Sequence, residues 1–229
     1  MGWQIRQATL EDMSQVAALF LDSFRETIVH LFGEGMPEKG IPGGEALKDF
    51  FSFLLKEEQG AFWVAREKEA DTDEQADRAD TIKKLLGYIV VSADLTYLWR
   101  RAVLGGYVFY WLNKYLRGAY GVVNLSVVWQ IIRNKFGFFR HSRSMPQYES
   151  QILSFAVAEN YRGQGLSGAL LKKGLTYLEG RGKQHIKLEV RPWNKAALQL
   201  YLKHGFTPAG TTRDSQGEWL VMVKRGFES

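Results

Sequence analysis

Residues 153–168 read LSFAVAENYRGQGLSG, an apolar run followed by a glycine-rich turn and the start of an amphipathic segment. The apolar run, from Ile152 to Ala158, predicts a buried strand, and residues 164–179 predict a helix. Gly163 and Gly165 lack a Cβ, so the chain can curl tightly between the two elements. A helix amino terminus collects unpaired N–H groups that favour phosphate oxygens, and Arg162 adds a cation beside them. The stretch therefore predicts a diphosphate-binding loop.

A dinucleotide-binding loop is the alternative interpretation of these glycines. Gly163, Gly165 and Gly168 have the spacing of that fingerprint, and Glu189 lies roughly twenty residues further on, where a ribose-binding acid would be expected. A Rossmann domain needs several more strand–helix units, whereas only about sixty residues follow this loop and strands predominate among them. A turn with no ligand is the third interpretation of the loop taken alone.

A second motif follows about thirty residues later and favours one interpretation. It comprises Leu188-Glu189-Val190, Asn194, Ala197, Leu200-Tyr201 and Gly205-Phe206. Together with Arg162-x-x-Gly165-x-Ser167, it resembles the GNAT superfamily of N-acetyltransferases, most closely its ribosomal-protein alanine N-acetyltransferase branch. The resemblance covers residues 152–224 well and residues 3–12 more loosely. Ser167 departs from the glycine or alanine of the family, although a small hydroxyl side chain is expected to be tolerated there.

The resemblance implies an α/β fold with a mixed, strongly bent sheet of about six or seven strands flanked by helices. The periodicity agrees, with strands predicted at 3–8, 61–66 and 85–93 and helices at 13–24 and 45–56. Thr9 and Asp12 predict a capping box, in which the Thr9 side chain accepts from the backbone. We expect one domain over residues 1–229, with a helical insertion at 94–150 between the third and fourth strands.

The resemblance also implies which residues bind the cosubstrate, acetyl-CoA. Pantetheine would lie along the strand containing Phe155, Ala156 and Val157, and the N–H of Val157 would polarise the thioester carbonyl. Asn194 would contact the pantetheine arm, and Asn is also a favoured helix N-cap residue. The pyrophosphate would be held by the loop residues Arg162, Gly163, Gln164, Gly165, Leu166 and Ser167.

Tyr201 and Glu189 are the candidate catalytic residues. The Tyr201 phenol would protonate the departing thiolate, although a tyrosine on a helix can equally serve only to pack its ring. Glu189 would accept the amine proton through a water molecule, and its strand parity directs it away from Leu188 and Val190. An ordinary salt bridge with Lys187 or Arg191 is the alternative for Glu189. His204, in the last turn of the predicted helix, is assigned a structural role.

Composition limits the remaining chemistry. The sequence contains no cysteine, and its four histidines lack metal-ligand spacing, so no metal site is expected. The net charge of +5 suits anionic partners. Residues 94–150 contain eight basic and two acidic residues, an excess of six that accounts for all of the net charge. The chain start lacks an apolar signal core, and no apolar run reaches the ~18–20 residues of a membrane span, so a cytoplasmic protein is expected.

The same segment is rich in aromatic residues and predicts two helical faces. Leu104, Tyr107, Val108, Trp111 and Tyr115 form the first, and Leu125, Val128, Trp129, Ile132 and Phe136 form the second. The alternatives are a hairpin packed on the sheet or a dimer partner, an acceptor pocket or lid, and a membrane-surface element. No nucleic-acid-binding motif is present, so nucleic acid is not an expected partner. Our hypothesis is that the insertion shapes the acceptor side.

The predicted function is transfer of an acetyl or other short acyl group from CoA to a primary amine by direct attack. The acceptor is open among a protein N-terminus, lysine, a polyamine, an amino sugar and other amines. Two rivals remain: an acyl-CoA-binding sensor or interaction module without efficient transfer, and a membrane-associated acyltransferase that uses longer chains.

Overall fold

The computed structural model describes residues 2–25, 44–58, 61–68, 84–120, 150–214 and 217–226. Most of the predicted loop at 33–44, most of the turn at 67–81 and the whole second helical face at 125–136 lie outside these ranges. The described residues thus comprise the sheet, its flanking helices and the first half of the insertion.

Seven strands form one mixed sheet in the order β1-β2-β3-β4-β5-β7-β6. All neighbouring strands are antiparallel except β4 and β5, which are parallel. This arrangement, with helices on both faces, confirms the predicted fold class. The strands are β1 (Trp3–Gln7), β2 (Phe62–Glu67), β3 (Leu85–Ser92), β4 (Ser150–Val157), β5 (His185–Val190), β6 (Thr207–Asp214) and β7 (Gly217–Arg225).

The described residues include six α-helices: α1 (Met13–Ser23), α2 (Gly44–Glu57), α3 (Leu95–Leu104), α4 (Tyr107–Leu116), α5 (Leu166–Gly180) and α6 (Lys195–Lys203). Short 3-10 turns occupy Leu10–Asp12 and Glu159–Tyr161. α5 begins two residues later than predicted, because Gly165 is in the left-handed region (φ +83°) and is the N-cap.

The helices form two layers, one on each face of the sheet. α5 and Tyr201 of α6 pack with Ile89, Val157 and Leu188 in one apolar cluster. α1, α2 and α3 pack on the other face, in a cluster that includes Tyr88 and Val90 of β3. Alternate residues of β3 thus contribute to opposite clusters, because successive side chains of a strand point to opposite faces of the sheet.

The parallel pairing between β4 and β5 is very short. Only Ser150 with Ile186 and Gln151 with Lys187 are in register, after which the two strands separate. β5 stays paired with β7 along its whole length, and β4 stays paired with β3 as far as Val157. The sheet therefore contains a fork, which opens from Ile152 towards the carboxyl ends of β4 and β5.

The described half of the insertion is a hairpin of two helices packed on α2. Leu95, Leu98 and Ala102 are buried with α2 in the second cluster. One predicted feature is wrong: Leu104 does not share a helical face with Tyr107, because the chain breaks at Gly105 and Gly106 between α3 and α4. Leu104 is instead 76% exposed.

Two ion pairs and a set of aromatic contacts hold the hairpin against α2. Arg101 pairs with Glu57 at 2.7 Å, and Lys114 pairs with Asp49 at 2.6 Å. The rings of Tyr107 and Trp111 lie edge-on to Phe53, at centroid distances of 4.7 and 5.4 Å.

A buried carboxylate ties the amino-terminal strand to the sheet. Asp12 is fully buried and accepts hydrogen bonds from Arg6 of β1 (2.7 and 2.8 Å) and from Arg66 of β2. The predicted capping box is confirmed: the Thr9 side chain accepts from the Asp12 backbone N–H, and the Asp12 carboxylate accepts from the Thr9 N–H at 2.7 Å. Burial alone would raise the pKa of Asp12, but hydrogen bonds from Arg6, Thr9 and Arg66 lower it to about 2.

We expect Asp12→Asn to lower the free energy of unfolding by about 3 kcal/mol at neutral pH, because the buried Arg66 loses its carboxylate partner. The exposed neighbour Glu11 supplies the control, and Glu11→Gln should change stability by less than about 0.5 kcal/mol. Urea unfolding of both variants and the wild type is the measurement.

The contribution of Asp12 to the free energy of unfolding depends on pH. A pKa lowered in the folded state stabilises the protein above the unfolded pKa of about 3.9, and this stabilisation is lost as the pH falls through about 2. The difference in the free energy of unfolding between the wild type and Asp12→Asn should therefore become smaller from pH 6 to pH 3. A constant difference over that range would contradict the lowered pKa of Asp12.

Candidate acyl-CoA site

The free edge of β4 within the fork is the first component of the site. The Ala158 N–H donates to the Leu86 carbonyl at 2.8 Å, so Ala158 and Ala156 direct their main-chain groups towards β3. Main-chain groups alternate in direction along a strand, so those of Phe155 and Val157 point towards β5, where pairing has ended. Phe155 and Val157 thus present main-chain groups to the fork, whereas the predicted Ala156 is engaged in the ladder with Tyr88.

The glycine loop leads from this edge to the amino terminus of α5. Gly163 (φ +73°) and Gly165 (φ +83°) are both left-handed, and a Cβ on either would meet no atom within 4 Å. Backbone conformation, and not space, therefore requires glycine at both positions. The Gln164 side chain donates to the Asn160 carbonyl at 2.8 Å and so fixes the loop on itself.

The end of α5 provides the amide groups that an anion needs. Its first hydrogen bond runs from the Ala169 N–H to the Gly165 carbonyl (3.1 Å), which leaves the N–H groups of Leu166, Ser167 and Gly168 outside the helix ladder. Leu166 is fully buried and anchors this turn in the core. The geometry therefore fits the diphosphate-binding loop predicted from the sequence.

Arg162 connects the loop to the strand edge. Its Nε donates to the Val157 carbonyl at 3.0 Å, while the residue as a whole is exposed. Since that carbonyl belongs to the free edge of β4, the guanidinium lies where the fork meets the loop. This position places a positive charge beside the amide groups of α5, as an anionic ligand requires.

Asn194 caps and Tyr201 lies within α6, the helix that follows β5 on the other side of the fork. Asn194 is the N-cap of α6, as predicted, and its Oδ1 accepts from the Ala197 N–H at 3.1 Å. Tyr201 is 7% exposed, and its ring lies edge-on to Phe206 at 5.8 Å. Burial raises the pKa of the Tyr201 phenol above its ordinary value, so the hydroxyl keeps its proton at neutral pH.

Glu189 and Tyr201 lie on opposite faces of the sheet. Leu188 and Val190 share the α5 cluster with Tyr201, so Glu189 between them points to the face covered by α1 and α2. The structure thus confirms the predicted parity of Glu189. The two candidate catalytic residues do not contact each other but flank β5 from its two sides.

Buried polar residues near the closed end of the fork were not predicted. Lys187 is 3% exposed on the same face as Glu189, and burial lowers the pKa of its ammonium group. Gln151, its register partner, is 5% exposed, and its Oε1 lacks a hydrogen-bond partner among the residues that the structure describes. Tyr88 and Ser154 bond through their hydroxyls at 2.8 Å across β3 and β4. The sequence signal that could have indicated these residues is the occurrence of polar side chains in otherwise apolar strands.

His204 contributes to the packing of α6. Its Nδ1 lies 2.8 Å from the Leu200 carbonyl, one turn earlier in the chain. A Cβ on Gly168 would lie 3.7 Å from the imidazole ring, so the ring lies close to the first turn of α5. These contacts agree with the structural role assigned from the sequence.

Comparison with known proteins supports the same interpretation. A family model described as the acetyltransferase (GNAT) family matches residues 26–206. The [ribosomal protein bS18]-alanine N-acetyltransferase of Escherichia coli K12 is 41% identical over 66 residues, which are 29% of this chain and 45% of that protein. An N-acetyltransferase of Methanocaldococcus jannaschii is 33% identical over 76 residues, covering 33% of this chain and 32% of the relative. The chain thus spans less than half the length of these curated relatives.

Solved structures share the fold over almost the whole chain. The PaiA N-acetyltransferase from Thermoplasma acidophilum, solved in complex with coenzyme A, gives a TM-score of 0.55 at 14% identity and covers 98% of this chain and 99% of its own. At that identity the likeness shows the fold alone. The family model matches well over half of the sequence, and we conclude that the chain belongs to the GNAT acetyltransferase family.

Proposed function

We propose that the protein transfers an acyl group, in the first instance acetyl, from acyl-CoA to a primary amine. The observation that carries this proposal is the fork, whose free β4 edge leads directly into the left-handed glycine loop and the amino end of α5. A ligand with an amide-bearing arm and a diphosphate matches both features in order along the chain. The coenzyme A bound to the related PaiA enzyme has this chemistry.

The cosubstrate would be bound by main-chain groups over most of its length. Phe155 and Val157 offer N–H and carbonyl groups to the pantetheine amides, in the manner of an added strand. The loop from Arg162 to Ser167 binds the pyrophosphate through its amides and the arginine charge. Asn194 lies on the second arm of the fork, from which it contacts the pantetheine arm.

The reaction is a direct displacement at the thioester carbonyl. The amine nitrogen forms a bond to the carbonyl carbon, and the carbon–sulfur bond breaks as CoA leaves. The Val157 N–H stabilises the charge that develops on the carbonyl oxygen. Glu189, through a water molecule, accepts the proton that the amine loses, and the Tyr201 phenol gives its proton to the thiolate.

The opposite-face placement of Glu189 and Tyr201 agrees with these roles. The base must act on the incoming amine and the acid on the departing sulfur, which lie on different sides of the carbonyl carbon. Burial raises the pKa of Tyr201, so the phenol is protonated before the reaction and has a proton to give. The amine would therefore approach on the α1 and α2 side of the sheet.

The helical hairpin of α3 and α4 packs on that same side. This placement supports the hypothesis that the insertion shapes the acceptor site. The name of the E. coli relative specifies a protein alanine as its acceptor, so peptides with a free amino terminus are the first acceptors to test. Turnover of acetyl-CoA against a panel of peptides, lysine derivatives, polyamines and amino sugars, with mass detection of the product, tests the proposal.

An acyl-CoA sensor is the second candidate, because the fork and loop account for binding without transfer. The panel separates the two functions. Slow thioester hydrolysis with no acylated amine would favour the sensor, whereas an acylated product formed at a rate that saturates with amine favours the enzyme.

Tyr201→Phe should lower turnover at least tenfold while leaving the affinity for CoA within about twofold, since only the transferable proton is removed. Tyr177→Phe, on the carboxyl-terminal half of α5, is the matched control and should retain full turnover. Unchanged turnover in Tyr201→Phe would remove this residue from the mechanism.

Gly165→Ala should weaken CoA binding by about tenfold, because a left-handed alanine costs about 1–2 kcal/mol and the loop must distort to avoid it. Gly180→Ala, at the end of the same helix and in open space, should leave CoA binding unchanged. Calorimetric titration with CoA measures both variants, and equal affinities would argue against a role of the loop conformation in binding.

A further inference from the structure

The outward face of the insertion hairpin is apolar, which is unusual for a helix surface. Val108, Phe109, Leu112 and Leu116 follow the spacing of one helical face on α4, and Leu104 lies just before it at the end of α3. Leu104 is 76%, Phe109 71% and Leu116 74% exposed. We call these five residues the outer stripe. A contiguous apolar patch of this kind marks an interaction surface more often than an isolated exposed leucine does.

The hairpin cannot turn this stripe inward without losing its other contacts. The opposite face of α4 is fixed by the rings of Tyr107 and Trp111 against Phe53. Asp49 of α2 accepts from both Lys114 (2.6 Å) and the Tyr120 hydroxyl (2.7 Å). Inner and outer faces of α4 are thus both apolar, but only the inner face packs against α2.

The charge around the outer stripe is positive. Residues 95–120 contain no aspartate or glutamate. Of their four basic residues, Arg101 and Lys114 pair with acids of α2, whereas Arg100, within α3, and Arg117, the C-cap of α4, are exposed. The excess positive charge of the whole chain also lies in the insertion, residues 94–150.

We propose that the outer stripe docks the protein on the surface of an anionic lipid bilayer. Exposed apolar side chains together with exposed arginines on one helical hairpin are the pattern of an element that lies in the membrane interface, with its apolar side chains among the acyl chains and its cations at the phosphates. Tyr97 and Tyr110, both about half exposed, add the amphipathic rings that favour this region.

The dimensions of the hairpin fit a surface location. α4 has ten residues and is therefore about 15 Å long, half the thickness of a bilayer core. No helix in the described part of the chain is long and apolar enough to cross a membrane.

A second copy of the chain is a poorer occupant of the stripe. A symmetric dimer through this face would bring Arg100 and Arg117 of both copies together, with no acid between residues 95 and 120 to compensate them. An anionic bilayer neutralises the same arginines. Charge complementarity therefore selects the lipid surface.

Co-sedimentation of the full chain with vesicles tests the proposal. We expect binding to vesicles of phosphatidylcholine mixed with phosphatidylglycerol, and at least about tenfold weaker binding to phosphatidylcholine alone. Phe109→Ser/Leu116→Ser and, separately, Arg100→Gln/Arg117→Gln should each weaken binding to the mixed vesicles by about tenfold or more.

Matched controls replace the same kinds of residue elsewhere on the surface. Leu10→Ser/Leu202→Ser and Arg213→Gln/Arg225→Gln also alter exposed side chains and should bind as the wild type does. Circular-dichroism melting would establish that every variant is folded. Absence of wild-type binding, equal binding to both vesicle types, or variants that bind like the wild type would each overturn the proposal. So would light scattering that shows a wild-type dimer and a monomeric Phe109→Ser/Leu116→Ser variant.

Discussion

The arrest of pairing between β4 and β5 is the constraint on which the candidate site depends. Two residue pairs join these strands, and the remaining edge of β4 has main-chain groups without a strand to bond. An unpaired edge inside a sheet is costly unless water or a ligand satisfies it. β3 holds β4 from one side and β7 holds β5 from the other, so the fork cannot close by a simple shift of either strand. The site is therefore built into the sheet and not added by a loop.

The strands of the fork also determine on which face of the sheet each candidate catalytic residue lies. Because β5 alternates its side chains between two layers, Tyr201 packs with the α5 side while Glu189 faces the α1 and α2 side. The phosphate loop belongs to the Tyr201 side, through the buried Leu166. In the proposed reaction, acyl donor and acceptor would therefore lie on opposite faces of one sheet, with the carbonyl carbon between them. Such a separation would require no contact between acid and base, since each would act on a different atom.

The sequence predicted those parts of the site that depend on local chemistry. The left-handed glycines, the Asn194 N-cap and the parity of Glu189 all follow from neighbours a few residues away. Contacts between distant segments were not predictable. Asp12 also binds Arg66 from a strand fifty-four residues later, so the predicted capping box is part of a buried ion network that its neighbours in sequence do not encode. Lys187 is buried, although lysine is ordinarily exposed and its sequence neighbours do not indicate otherwise.

The hairpin is part of the core as well as an insertion between two strands. Leu95, Leu98 and Ala102 of α3 belong to the same core cluster as β3, so removing the hairpin would expose the sheet. Its function is consequently accessible only through surface substitutions that leave these three residues in place. The inner face of α4 is constrained by Phe53 and Asp49, whereas nothing inside the described fold constrains the outer stripe to be apolar.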